Sequence, residues 1–458
     1  MPPSTAMPHE PIVITGVGIV SAIGIGQAKF FEALLDGRSG VRSLADRTDG
    51  EATPGPDDAI DGVWVGAPIV DFQPKQYVKP RKALKVMCRE IQTAFASAQL
   101  AIEHAGLADS IPASDSGEVP PERLGAVYGS EIFFNPPEEL ADSIRGCLDE
   151  SGQLHPERFG EVARREVMPL WMLKYLPNMP ACQVGISINS QGPNNSLVLG
   201  DVSGPAALLE AESYLQRGIA DVVLVGATGT RIGSTRMLYH RDSPVPVRGE
   251  LAIEDLSRPH DPNAPGVVGG EGAASLVVET RRHAERRGAD VLATVLATAS
   301  RFSATDAIRS GQRESELDPP NSRQAGTAIR LAIQAVLDQS GVTPGQIGLV
   351  ASHAVGDRQV DAGEAAALAE VGVTCPLVAV SASIGHTGAA SGVIELATGV
   401  LSLAGKTIPP TRHDSTHREI QFRQMPGPLM SPYVLCLSHT TDGSAMAVLL
   451  GAPDAVTR

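Results

Sequence analysis

Cysteine is scarce and unpatterned in this 458-residue chain. The five present, Cys88, Cys147, Cys182, Cys375 and Cys436, are odd in number, scattered and never spaced C-x-x-C. Neither a disulfide framework nor a zinc site is indicated by them, and a reducing cytoplasm fits. Positive charge is in deficit: 37 Lys and Arg stand against 52 Asp and Glu, a formal charge of -15 that repels nucleic acid and anionic membrane as bulk partners. An anionic ligand therefore needs a local basic patch. Apolar runs are short as well. The nearest approach to a membrane span, Pro376 to Gly405, is interrupted by His386, Glu395 and several small residues and reads as a buried core helix. Residues 1–10 lack the basic and apolar regions of a secretory leader and read as a flexible tail.

What is present is globular. Hydrophobic residues make up 42% and charged residues 19%, with 47 Gly and 35 Pro marking many turns. The run PIVITGVGIV at residues 11–20 reads as a buried strand, followed by a helix over 27–35. Residues 41–74 form a turn-rich excursion, 81–104 a long amphipathic helix, and 124–129 a strand. An insertion over 132–179, containing Trp171, has weak helical pattern and is expected to cover something. A strand over 195–199, a tight turn at 200–204, a helix over 205–217, a strand over 221–226 and the segment 266–278 complete the first half. Gly269-Gly270-Glu271-Gly272 lacks the Lys and helix of a phosphate loop and is expected to be a tight turn.

The order then repeats. A helix over 324–340 leads to a strand over 348–352, and a strand over 376–381 runs through Gly385-His386-Thr387-Gly388 into a helix over 389–403. Strands over 433–437 and 444–450 close the second half. A repeat this long is no solenoid, so it indicates an internal duplication of strand-and-helix layers around two packed sheets. The halves are placed at 11–285 and 286–458, neither able to fold alone.

Five ordered segments carry a resemblance: PIVITGVGIVSAIG with FFEALLDGRSGV; SRPHDPNAPGVVGGEGAASLVVE; ASHAVGDRQVDAGEAAAL; SIGHTGAASGVIELATGVLSL; and GKTIPPT. Together they resemble the β-ketoacyl-acyl-carrier-protein synthases over nearly the whole chain. The resemblance implies an α/β thiolase fold, a duplicated five-layered α-β-α-β-α arrangement, as a homodimer or as a heterodimer with a cysteine-containing ketosynthase. It also implies a helix-N-terminal cysteine that takes an acyl chain as a thioester, and two histidines that promote decarboxylation and condensation. A thiolate suits this role as both strong nucleophile and good leaving group.

Following the family segment over 178–204 without a gap, the nucleophile position falls on Asp201. His353, followed by Asp361 and Glu364, corresponds to the first histidine motif and His386 to the second. Ser381 stands where active members carry a lysine, and Ser438 at the gating phenylalanine of the acyl pocket. None of the five cysteines replaces the nucleophile. Asp201 has a plain reading as a helix cap. An ionised carboxylate about 4 Å from a developing enolate would cost roughly 4 kcal/mol at an effective dielectric of 20, slowing malonyl decarboxylation about a thousandfold, unless burial keeps Asp201 protonated. His353 and His386 are expected to share a polar pocket that binds a carbonyl.

Lys75, Lys79, Arg81, Lys82, Lys85 and Arg89 form a basic run in an acidic chain. A solvated helix face is its plain reading; the resemblance implies acyl carrier protein docking. The expected function is a non-condensing subunit similar to the chain-length factors of fatty acid or polyketide biosynthesis. Such a subunit binds carrier protein and acyl chain. Two alternatives stand beside it: an enzyme acting on acyl or malonyl thioesters through the histidines, as decarboxylase or acyltransferase, and a carrier-binding module. No cofactor is expected beyond the phosphopantetheine that the carrier delivers, and no metal.

Overall fold

The computed structural model describes residues 10–44, 63–114, 118–136, 138–232, 245–246, 249–304, 326–413 and 420–455. The expected tail falls almost wholly outside them. Outward from the strand Ile12–Ser21 the hydrogen-bonded neighbours run Gly269–Thr280, Val222–Thr230, Leu124–Gly129 and Asn194–Leu197. Outward from Ala293–Phe302 they run Ser444–Gly451, Tyr433–His439, Leu349–Ala351 and Leu377–Val378. In both series the first two pairings are antiparallel and the last two parallel. The duplication read from the sequence is thus a duplication of strand order. The two halves meet edge to edge through one short antiparallel ladder, Ile12–Ile14 with Ala293–Val295.

Strand periodicity builds the layers. In Leu276-Val277-Val278 the outer two side chains enter the central core and Val277 the opposite one, beneath helix Arg89–His104. In Val434-Leu435-Cys436-Leu437 the even positions face the central core and the odd ones face helix Thr327–Ser340. Both faces of each half are therefore covered. Helices Ser203–Gln216 and Ser391–Ala404 fill the layer between the halves. They cross closely near their N-termini, where a Cβ on Gly204 would lie 2.9 Å from Val393 and one on Gly392 2.6 Å from Pro205.

Three expectations need correction. Gly269-Gly270-Glu271-Gly272 is the start of a strand, not a tight turn. Its glycines admit neighbouring backbone: a Cβ would sit 2.1 Å from the Arg231 carbonyl oxygen at Gly269 and 2.0 Å from that of Ile384 at Gly270. The helix expected over 81–104 breaks into a 3-10 segment, Arg81–Val86, and helix Arg89–His104. At the break Met87 is extended and buried against Val78, Ile91 and Phe95, a packing gain that outweighs helical continuity. The strand expected over 376–381 is only Leu377–Val378, since residues 381–384 turn helical. Among the described residues no helix is long and apolar enough to cross a membrane.

One ion cluster ties the first half together. Glu279 is fully buried and accepts from Thr15, from His283 at 2.6 Å and from Arg287 at 2.6 Å, while Arg287 also donates to the Ala105 carbonyl. Glu279→Ala would leave the Arg287 charge buried without its partner. We expect a loss of about 3–5 kcal/mol by denaturant unfolding, against near-neutral change for removal of the exposed pair partner Glu161.

Candidate active site

Three loops from both halves converge on one wall. The first carries Asp201, which follows Gly200, in the left-handed region at φ 63, and precedes helix Ser203–Gln216. Ser203 ties this turn by donating to the Gly200 carbonyl at 2.6 Å and accepting from the Leu199 amide at 2.9 Å. Asp201 makes no capping hydrogen bond, so the helix-cap reading is replaced. Its carboxylate faces two imidazoles instead.

The second loop carries His353. Helix Arg358–Val371 presents Asp361 and Glu364 one turn apart, and both hold the loop. Asp361 accepts from the Val355, Gly356 and His260 amides, and Glu364 accepts from the His353 amide, Ser352 and His439. Burial raises the Asp361 carboxyl to about 6 against these hydrogen bonds. Burial also acts to raise Glu364, but hydrogen bonds and charge from His260 and His439 outweigh it and hold this carboxyl well below its usual range. The third loop carries His386 between Gly385 and Gly388, both at positive φ. It is laced to the glycine strand: His386 N donates to the Val268 carbonyl and Gly270 N to the His386 carbonyl, each at 2.8 Å.

His386 Nε2 is 3.1 Å and His353 Nε2 3.6 Å from Asp201 Oδ2. Behind His353, Nδ1 lies 2.8 Å from Glu395 on the second central helix, and the His439 ring meets His353 edge to face at 4.8 Å. On the other side Arg231 approaches Asp201 Oδ1 at 3.7 Å and pairs closely with Glu131. Burial would raise the Asp201 pKa, but the charge of His386 and the contacts and charge of His353 prevail and hold it well below the ordinary carboxylate value. Burial likewise works to lower His353, and Glu395 and Asp201 overcome it, leaving that imidazole well above its usual value. These contacts favour the ionised Asp201 over the protonated form considered from sequence, and a charge there opposes an adjacent enolate.

The wall is one end of a cavity of about 910 Å³ whose other surfaces include Leu199, Val202, Leu209, Phe302 and Met446. Ser381 and Ser438 do not line it. Ser381 donates to the Ala354 carbonyl and Ser438 to the Asp201 carbonyl at 2.8 Å, so both brace the loops, and His439 and Thr440 stand at the cavity instead. Lys75, Lys79, Arg81, Lys82 and Lys85 are all exposed. Arg89 leaves that group: it donates to Glu271 at 2.7 Å and to the Ile69 carbonyl. No thiol reaches the wall. Cys436 is buried behind Glu395, where burial first and that carboxylate second push its pKa up.

Sequence reasoning missed Glu131, Arg231, Glu395 and His439. Glu395 was detectable, since a carboxylate inside a buried apolar helix requires a partner. Glu131 and Arg231 follow strands and His439 ends one, each with no local pattern.

Residues 9–284 match the family model of the β-ketoacyl synthase N-terminal domain and residues 304–414 that of the C-terminal domain. The chain is 28% identical over 460 residues to a putative polyketide β-ketoacyl synthase 1 of Streptomyces halstedii, covering 97% of this chain and 98% of that one. It is 27% identical over 419 residues to 3-oxoacyl-[acyl-carrier-protein] synthase 2 of Coxiella burnetii, covering 88% of each. Similar solved folds include a type II polyketide acyl-carrier protein in complex with its ketosynthase bound to the hexaketide, with TM-score 0.75, 19% identity and coverage of 97% and 100%. They also include the ishigamide ketosynthase/chain length factor, with TM-score 0.74, 22% identity and coverage of 97% and 99%. The architecture is the thiolase-like one.

Proposed function

The chain belongs to the β-ketoacyl synthase family, and from that premise we propose that it is a non-condensing subunit of chain-length-factor type. It docks acyl carrier protein, receives the acyl chain in its cavity and pairs with a cysteine-bearing ketosynthase. The carrying observation is the ionised Asp201 clamped between His386 and His353 where a nucleophile would stand. Attack by a carboxylate on a thioester would produce a mixed anhydride, an uphill step, so a stable acyl-enzyme is unfavourable. The apolar walls at Leu199, Leu209 and Phe302 suit an acyl chain. Pairing is supported by the strand Asn194–Leu197, which ends the sheet path and has Ile186, Val198 and Leu199 exposed beside it.

Coexpression with a cysteine-bearing ketosynthase tests the reading: a stable heterodimer whose product length shifts when Leu209 is enlarged to Trp supports it, and no association or an unchanged product removes it. The exposed run supplies a second check. Reversing Lys79, Arg81 and Lys82 to Glu should weaken carrier protein binding on the order of tenfold or more at low salt, with the difference shrinking as salt rises. Carrier binding without any heterodimer would favour the binding-module alternative.

The retained imidazoles favour one rival. With Glu395 behind His353 and Asp201 between the rings, the wall keeps an acid–base set that could act on thioesters. That reading requires thioester turnover by the chain alone, abolished in His386→Ala.

A further inference from the structure

We propose that Asp201, His353 and His386 form a binding site for one divalent transition metal, of the zinc or ferrous class, at the cavity wall. The inference stands on the geometry of the wall, independently of the subunit reading.

The three donor atoms lie within 4.8 Å of one another. Zinc bonds of 2.0–2.2 Å in tetrahedral arrangement place neighbouring donors roughly 3.3 Å apart. The separations of 3.1 Å and 3.6 Å from Asp201 Oδ2 to the two Nε2 atoms bracket that value. Two imidazoles and one carboxylate with open positions are the donor set of catalytic zinc and of non-haem iron(II) sites.

Two further features point to a cation at this spot. His386 is buried, 8% exposed, yet its Nε2 lacks an aligned hydrogen bond, as does the buried Oδ1 of Asp201. His353 has Nδ1 committed to Glu395 at 2.8 Å, so Nε2 is the ring atom left facing the carboxylate, and a metal there takes the place of the Nε2 proton. Lone pairs and a carboxylate that converge repel unless protons or a cation lie among them. The Glu395–His353 contact is also the carboxylate–histidine support that orients a metal-bound ring. Arg231 near Oδ1 acts against a dication, and Glu131 offsets its charge. The fourth position opens into the cavity, where water or a thioester carbonyl would enter.

The test uses chelator-stripped full-length protein titrated with Co²⁺ and then Zn²⁺. We expect one tightly held equivalent, visible cobalt bands of low coordination number that zinc bleaches, and proton release on binding. Asp201→Asn and His386→Gln should each abolish the bands and weaken binding by about a hundredfold or more, and Glu395→Gln by about ten- to hundredfold. His155→Ala is the control, because half-buried His155 lies 3.0 Å from both Asp149 and Glu157 and forms a competing carboxylate–imidazole cluster. Bands that persist in Asp201→Asn, bands that vanish in His155→Ala, or no stoichiometric binding by the native chain would each overturn the proposal. If Asp201→Asn does not fold, His386→Gln, which alters one cavity-wall side chain, decides between them.

Discussion

Asp201→Cys is expected to take a full equivalent of acyl group where the native chain is expected to take none. The immediate setting of a nucleophile is in place: a turn held by Gly200 and Ser203, the N-terminus of helix Ser203–Gln216, and two imidazoles directed at position 201. A thiol there would have its pKa lowered from about 8.5 by the adjoining imidazoles and the helix N-terminus, giving substantial thiolate at neutral pH. Adding Ser381→Lys returns the remaining family cation near the Ala354 carbonyl and should speed the step. Intact mass after mixing with acyl carrier protein reads the result. A folded variant that stays unacylated would show that position 201 is not the acyl-accepting point of the cavity.

The second large effect is on stability and its pH dependence. Asp201 has a depressed folded pKa, so its contribution is present above the unfolded value of about 3.9 and is lost as pH falls through the folded value. His353 has a raised folded pKa, so its contribution is complete below about 6.5 and is lost as pH rises through the folded value. The cluster therefore stabilises most between about pH 4 and about pH 6.5. Removing one partner of a buried pair costs about 3–5 kcal/mol; here the carboxylate is 16% exposed and the imidazole can shed its proton. Asp201→Asn should thus cost about 2 kcal/mol at about pH 5.5 and clearly less at about pH 9, measured as denaturant midpoints. An equal loss at both values would mean that His353 does not carry the charge assigned to it.

Much of this molecule was legible in its residues, and the reasons are physical. Strands such as Gly269–Thr280 and Tyr433–His439 are apolar on both faces because helices cover both, so they appear as continuous runs that sequence reading finds easily. The repeated order of those runs exposed the duplication. Asp201, His353 and His386 were found because each lies in a local motif, and the structure brings all three to one wall. What escaped depends on approach between distant segments. The glycines at 269 and 270 look like a turn until the backbones of Arg231 and Ile384 are seen against them. Ser381 and Ser438 occupy informative positions in the chain, yet small hydroxyls satisfy themselves on nearby carbonyls instead of reaching the cavity. Arg231 reaches Asp201, and Glu131 reaches Arg231, only through long-range pairing of the strands and loops that carry them, which no short pattern encodes.

The central claim is that the native chain holds acyl groups without bonding to them. Intact-mass measurement of the unmodified full-length protein, incubated with acyl carrier protein and a cysteine-bearing ketosynthase, tests it most directly. The account predicts the acyl mass on the ketosynthase alone and an unchanged mass for this chain. A stoichiometric acyl adduct on this chain, at Asp201 or at any of its five cysteines, would contradict it.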